Sequence, residues 1–166
     1  MATFRRAREP KHPLPLHDRA LGLLAVRPRS RRELQRRLLS AGFPAEEVDE
    51  ELGRLESVGL LDDGRFATEF AEHEVGRRRV GRGAVARSLS AKGVDRETIE
   101  RVLGEIKGDE GERAAGLAAD RARGLSGYPP NVAFRRLVSF LVRRGYEPDL
   151  ARRTSLAALG LDRAGR

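Results

Sequence analysis

The sequence contains no cysteine and no tryptophan, and aromatic residues make up only 5% of its 166 positions. Without cysteine the chain can form no disulfide, no thiolate zinc site and no iron–sulfur cluster. The scarcity of aromatic residues disfavours a large β fold, because strands favour β-branched and aromatic side chains. No run of about 18 apolar residues is present to cross a membrane, and prolines at positions 10, 13 and 15 stand where a signal peptide would be hydrophobic. We therefore expect a soluble protein of the cytoplasm.

Charge is abundant, and it is mostly positive. The chain has 33 lysines and arginines against 25 aspartates and glutamates, a formal net charge of +8. Charged residues make up 35% of the chain and hydrophobic residues 39%, which is enough apolar material for a core. This composition favours an aliphatic, mostly helical protein with much exposed surface.

One helical pattern occurs three times along the chain. Residues 32–43 align with residues 83–94 at a shift of 51, and a third copy follows about 52 residues later. Apolar residues recur at helical spacing in each copy, and each second helix is predicted to end at a glycine, namely Gly42, Gly93 or Gly145. Glycine is suited to this place because it adopts the left-handed conformation that ends a helix.

A repeat period near 50 residues is typical of arrays whose neighbouring units bury one another's surface. We therefore expect an all-α fold, an elongated and curved array of three tandem three-helix repeats. The predicted segments are a flexible, basic, proline-rich arm over 1–16, repeats over 17–61, 62–108 and 109–160, and a tail over 161–166.

Motifs for catalysis are incomplete. His73 and Glu74 could begin the zinc-binding pattern His-Glu-x-x-His, but Arg77 stands at its last position. Residues 81–86 match the spacing of a dinucleotide-binding loop, but that loop must follow a β-strand, and the pattern here is helical. The acidic cluster at 46–51 lies in the first turns of a predicted helix, where negative charge complements the helix dipole. The sequence thus predicts a protein that is not an enzyme and that uses no cofactor or metal.

The basic residues are clustered in three runs. Residues 27–37 hold six arginines against one glutamate, residues 77–92 hold six basic residues and no acid, and residues 135–153 hold six arginines against two acids. These runs lie on or beside the second helix of each predicted repeat. We expect equivalent helices to follow one side of the array, so that their cations form a periodic basic stripe suited to a polyanion or an extended partner. The simpler interpretation is a solubilising surface.

Several short motifs resemble the RecX regulatory proteins. They are the leucine-aspartate turn at 61–62, Arg65-Phe66-Ala67, the basic run 77–79, Gly81, and Lys92-Gly93-Val94. The resemblance extends from about Asp18 to Leu159 and is strongest in the middle repeat. It implies tandem three-helix repeats, in agreement with the period found above. It also implies binding to the RecA recombinase filament on single-stranded DNA, with inhibition of its ATPase, strand-exchange and coprotease activities.

The predicted contact residues for a RecA filament, and for possible weak non-specific binding to single- or double-stranded DNA, are all arginines. They are inferred from charge and helix position, and the protein that carries them is expected to be a monomer. The set is Arg36, Arg37, Arg77, Arg78, Arg79, Arg82, Arg87, Arg135, Arg136, Arg143 and Arg144.

Two other functions fit parts of the sequence. A helix, a glycine turn and a further helix also resemble helix-turn-helix DNA readers, so a DNA-binding regulator is an alternative. Such a regulator would prefer one duplex sequence and would usually be a symmetric dimer, but no clear dimerisation stripe is present. The third possibility, an adaptor unrelated to DNA, would associate with its partner independently of salt.

Overall fold

The computed structural model describes residues 14–161, and this range contains α-helices and no β-strand. The predicted all-α class is therefore confirmed. Most of the predicted arm, residues 1–13, and the tail from residue 162 lie outside the described residues. The helices of the described range are α1 (Leu16–Val26), α2 (Arg31–Ser40), α3 (Ala45–Ser57), α4 (Asp63–Arg78), α5 (Arg82–Ala91), α6 (Arg96–Glu105), α7 (Glu110–Arg123), α8 (Pro130–Arg143) and α9 (Pro148–Ala158).

The helices follow one another in three sets of three, which confirms the helical-repeat architecture. The sets are α1–α3, α4–α6 and α7–α9. The turn after the second helix of each set contains a glycine with positive φ, as predicted: 97° at Gly42, 82° at Gly93 and 90° at Gly145. The elongation and curvature of the array, and the repeat boundaries, stay predictions.

Side-chain caps explain where several helices begin. The Ser30 hydroxyl accepts a hydrogen bond from the Glu33 amide at the start of α2, and the Asp95 carboxylate accepts one from the Thr98 amide at the start of α6. Both bonds satisfy amides that lack a partner within the helix. Ser30 and Glu33 have the spacing of a capping box, but only half of it forms, because the Glu33 carboxylate binds Arg27 and Arg29 instead.

Backbone contacts divide the described chain into two units. The first runs to Phe66 and also includes Lys92–Val94, and the second contains Ala67–Ala91 and the residues from Asp95 onward. The core of the first unit is aliphatic and consists of Ala20, Leu34, Leu38, Val48, Leu52, Leu55 and Leu61. In the second unit, one cluster joins α7, α8 and α9 around Leu137, Leu141 and Tyr146. The small buried side chain of Ala151 forms part of this cluster on α9.

In the first unit, the turn Lys92–Val94 lies against the start of α2. The Ser30 hydroxyl donates a hydrogen bond to the Lys92 carbonyl at 2.6 Å. The approach is so close at Gly93 that an added Cβ atom would lie 2.1 Å from the Arg32 Cδ atom. Glycine is therefore required here by contact as well as by its positive φ.

The second unit contains an equivalent contact between the Gly145 turn and the start of α5. The amides of Gly81 and Gly83 donate to the carbonyls of Arg144 and Gly145 at 2.9 and 3.1 Å. A Cβ atom on Gly145 would lie 2.3 Å from the Ala84 amide nitrogen. The repeat alignment places Gly81 opposite Ser30 and Gly145 opposite Gly93, so the same docking geometry occurs twice at equivalent positions.

Candidate functional site

The predicted contact arginines lie on four helices and the turns that follow them. Arg36 and Arg37 are on α2, Arg77 and Arg78 end α4, Arg82 and Arg87 are on α5, and Arg135, Arg136 and Arg143 are on α8. Arg79 lies in the loop between α4 and α5, and Arg144 lies in the turn after α8. Three of the eleven are only half-exposed, namely Arg79, Arg82 and Arg144, and the others are exposed.

Within the predicted set, only Arg36 and Arg87 occupy equivalent repeat positions, and no aligned position of the basic runs carries a cation in all three repeats. The alignment pairs Arg36 with Arg87, but it places Ser139 at the third position. Arg37 is matched by Ser88 and then by Phe140. The basic runs therefore recur as local charge rather than in strict register, and a common basic side along the array stays a prediction.

A buried carboxylate organises the cations of the first unit. Glu33 is 6% exposed, and it accepts hydrogen bonds from Arg27, from Arg29 at 2.7 Å and from Arg37 at 3.4 Å. The Lys92 ammonium also lies 4.0 Å away. Burial by itself raises the pKa of Glu33, but the hydrogen bonds and charges of Arg27 and Arg29 outweigh it and hold that pKa below the usual range. Glu33 is therefore an ionised anchor, and it partly neutralises Arg37.

Two of the three arginines at the end of α4 already form ion pairs within the molecule. Arg78 pairs with Glu74 at 3.3 Å, and Arg79 pairs with Asp120 of α7 at 2.7 Å. Charge-assisted bonds of this kind hold a side chain in one geometry. Of the three consecutive arginines, Arg77 alone forms no ion pair within residues 14–161.

Arg79 and Arg144 also take part in the junction between the two glycine-rich turns of the second unit. Arg79 has φ of 52°, a conformation uncommon in residues other than glycine. Its carbonyl accepts a 3.0 Å hydrogen bond from the Tyr146 hydroxyl, and the Arg144 guanidinium donates to the Arg78 carbonyl at 2.6 Å. Burial raises the pKa of Tyr146, which keeps the hydroxyl protonated as a donor. These two arginines therefore help to position the backbone at residues 78 and 79. The distribution of charge along the sequence gives no sign of this role.

Arg82 has a similar structural role at the first residue of α5. Its amide donates to the Glu110 carboxylate at 2.7 Å, and its guanidinium lies 3.9 Å from the same carboxylate. A carboxylate at this place caps the helix and complements its dipole. Arg87, further along α5, is exposed and forms no ion pair in the described part of the chain.

The arginines of α8 are gathered in a shallow cleft that α7 completes. Arg135, Arg136 and Arg143 line it together with Arg121 of α7, and Val132, Ser139 and Phe140 form the rest of the lining. No acidic side chain lines the cleft, and none of its four arginines forms an ion pair within residues 14–161. We call this cluster of Arg121, Arg135, Arg136 and Arg143 the α8 cleft.

Arg121 was missed by the sequence reasoning because it lies outside every basic run and directly follows Asp120. Only the three-dimensional structure identifies this residue as part of the cleft. Its guanidinium lies over the ring of Phe140 of α8, 5.5 Å from the ring centroid.

Two classes of site have no representative among the described helices and loops. No group of three or more histidine, aspartate or glutamate side chains between residues 14 and 161 is arranged to hold a metal ion. Over the same range, no helix combines the length and apolar character needed to span a bilayer.

The fold and its basic surfaces define an all-α repeat protein built of three-helix domains, and comparison with known proteins identifies the family. The first three-helix domain of RecX matches residues 17–55, and the second matches residues 62–103. The regulatory protein RecX of Mycobacterium avium is 37% identical over 149 residues, covering 88% of this chain and 86% of that protein. The protein of the same name from Mycobacterium tuberculosis is 39% identical over 155 residues, covering 88% and 87%. The chain belongs to the RecX family of regulatory proteins.

A solved structure has the same fold at a lower level of sequence similarity. The crystal structure of RecX from Lactobacillus salivarius matches with a TM-score of 0.76 and 21% identity, over 89% of this chain and 94% of that chain.

Proposed function

We propose that this protein is a non-catalytic regulator that binds the RecA recombinase filament on single-stranded DNA. Bound there, it inhibits the filament's ATPase, strand-exchange and coprotease activities. The observation that carries the proposal is membership of the RecX family over most of the chain. The proposal implies action in the cytoplasm as a monomer.

A repeat protein with separate basic surfaces suits a filament as its partner. A filament presents the same protomer surface many times, so several weak contacts made by one chain add through effective concentration. A net charge of +8 also speeds the encounter with an anionic assembly. Exposed arginines without internal partners are best placed to make such contacts, because they lose no ion pair on binding.

The predicted arginines thus divide into two groups. Arg36, Arg77 and Arg87, with the α8 arginines, are exposed and form no ion pair in the described range. The others are engaged in ion pairs or hydrogen bonds within the molecule, namely Arg37, Arg78, Arg79, Arg82 and Arg144. We propose that the first group contacts the partner and that the second group maintains the fold.

The decisive measurement is DNA-stimulated ATP hydrolysis by the cognate RecA while this protein is titrated below one chain per RecA protomer. The proposal expects ATP hydrolysis to fall as the protein is added. Arrest at low ratios would favour capping or loss of filaments over one-to-one blocking of protomers. Unchanged hydrolysis at every ratio, together with preference for one duplex sequence, would favour the helix-turn-helix alternative.

A further inference from the structure

The α8 cleft is a concentration of uncompensated positive charge in the described chain. Four guanidinium groups line it, no acidic side chain does, and none of the four cations takes part in an ion pair in the described range. The other basic surfaces differ, since Arg37 shares Glu33 and Arg78 pairs with Glu74. Like charges that line one cleft repel one another, and a bound anion relieves that repulsion.

We propose that the α8 cleft binds the phosphodiester backbone of single-stranded nucleic acid. The inference rests on the proposed function in that a filament regulator works beside such a strand, but it assigns this contact to a particular surface and adds Arg121 to it. A guanidinium offers several N–H donors in a planar fork that matches phosphate oxygens two at a time. The expected contacts are therefore to phosphate, with little dependence on base sequence.

Aromatic rings hold two of the cleft cations, Arg121 and Arg136, in place before any ligand arrives. The Arg136 guanidinium lies 4.3 Å from the centroid of the Tyr128 ring, and Phe140 carries Arg121 at 5.5 Å and Arg144 at 5.4 Å. Cation–π contacts of this kind restrict long side chains, which lowers the entropy lost on binding. Because guanidinium groups already lie over these rings, an unpaired base would stack on a guanidinium plane, as bases of single strands do.

The spacing of the cations along α8 favours a nucleic-acid strand over an acidic protein surface. Arg136 and Arg143 are seven residues apart on one helix, which puts them on nearly the same face about 10 Å apart along its axis. A nucleic-acid strand carries one phosphate on every nucleotide, so negative charges follow one another along its whole backbone. A strand following α8 therefore offers phosphates to both arginines at once, whereas carboxylates on a folded protein need not lie in a row.

The test is binding of the full chain to a fluorescent oligothymidylate, measured by anisotropy over a series of salt concentrations. Thymidylate removes base pairing from the measurement. For single strands the logarithm of the binding constant falls with the logarithm of salt at a slope of about −0.7 per phosphate neutralised, so four contacts predict a slope near −2.8. The double variant Arg135→Gln, Arg143→Gln should reduce that slope by about 1.4 and weaken binding at least about tenfold.

A matched control removes the same charge elsewhere. Arg96 and Arg101 of α6 are exposed and pair with Glu100 at 2.6 Å and with Glu105 at 3.2 Å. The variant Arg96→Gln, Arg101→Gln should therefore keep the slope and affinity of the parent protein. Circular dichroism and thermal unfolding of both variants check that each is folded, and Arg121→Gln alone, expected to reduce the slope by about 0.7, gives an independent measurement at the same cleft.

The outcomes separate this inference from the proposed function. Loss of oligothymidylate binding in the cleft variants but not in the control supports it. No binding by the parent protein, or equal losses in cleft and control variants, overturns it while the ATPase titration still tests RecA inhibition. Cleft variants that bind oligothymidylate normally but fail to inhibit RecA also overturn it, because the cleft would then contact an acidic protein surface.

Discussion

The buried carboxylate of Glu33 binds several cations of the first unit. Its carboxylate is nearly excluded from solvent, yet it faces three arginines and a lysine. Isolated burial of a carboxylate is unfavourable, and the cations repay that cost only while it is ionised. The same carboxylate binds Arg27, Arg29 and Arg37. Arg36, by contrast, is exposed, forms no ion pair in the described range, and is free to meet a partner.

We expect Glu33→Gln to destabilise the protein by about 3 kcal/mol at neutral pH, because it leaves the buried guanidinium of Arg29 without its counter-charge. The pKa of Glu33 lies below its ordinary value of 4.5 in the folded protein. Its ionised form therefore contributes stability fully above about pH 4.5, and the contribution is lost as the pH falls through the lowered pKa. Urea unfolding at pH 7 and at acidic pH measures both effects.

The control for this variant is Glu69→Gln, which alters an exposed glutamate of α4 with no ion pair in the described range. Its stability should change by less than about 0.5 kcal/mol. If Glu33→Gln were equally mild at pH 7, or if its difference from the parent protein did not shrink in acid, the anchoring role of Glu33 would be wrong.

The hydroxyl of Tyr146 makes a hydrogen bond that stabilises the backbone at Arg79. Its hydroxyl donates to the Arg79 carbonyl, whereas the Tyr128 hydroxyl, on an exposed side chain, makes no hydrogen bond in the described chain. Tyr146→Phe should cost about 1 kcal/mol, since it leaves the carbonyl of a residue in a left-handed conformation without its donor. Tyr128→Phe should leave stability unchanged. Equal denaturant midpoints for the two variants would contradict this assignment.

At the scale of the structural element, the docked glycine turn is the feature that repeats. Two glycines of the third repeat allow the effect of close contact to be separated from the effect of positive φ. Gly145 has positive φ and touches the start of α5, whereas Gly160 has φ of 68° and no atom within 4 Å of an added Cβ. Gly160→Ala should cost about 1 kcal/mol from conformation alone. Gly145→Ala should cost about 3 kcal/mol, because steric overlap adds to the same strain.

The measurement for this pair is urea unfolding combined with hydrogen exchange at the amides of Gly81 and Gly83. These amides donate across the docked turn. Gly145→Ala should speed their exchange, and Gly160→Ala should not. Comparable destabilisation and exchange in both variants would mean that the turn contact contributes nothing to stability.

The elements themselves were predictable, whereas their contacts were not. Local signals such as the Ser30 and Asp95 caps, and the glycines that follow each second helix, act within a few residues and can be found in the sequence. The bond between Arg79 and Asp120 joins positions 41 residues apart, so nothing local indicates it. For the same reason the predicted contact set includes Arg79 and Arg144, which have internal partners, and lacks Arg121, which lines the α8 cleft.

At the scale of the whole molecule, the division of the arginines determines how its charge can be used. Cations held by internal carboxylates contribute little to a new contact, because binding must first break an existing pair. Exposed cations without partners remain free to steer association and to meet phosphate or acidic groups. The net charge therefore overestimates the number of cations that can contact a partner. That number depends on which arginines are exposed and have no internal ion pair.

The combined variant Arg36→Ala, Arg77→Ala, Arg87→Ala tests this division on the proposed partner. All three residues are exposed and unpaired in the described range. Their removal should raise the concentration needed for half-inhibition of RecA ATP hydrolysis by about tenfold, mainly by slowing association, while helicity and unfolding stability stay close to the parent values.

A variant of equal charge provides the comparison. Arg96, Arg101 and Arg123 are exposed, but each pairs with an acid on its own helix. Replacing these three with alanine should leave inhibition within about twofold, because each loses only a weak surface pair. If both triple variants lost inhibition equally, net charge alone would govern the interaction. Inhibition by each variant would then depend on its total charge and on salt, regardless of which arginines had been replaced.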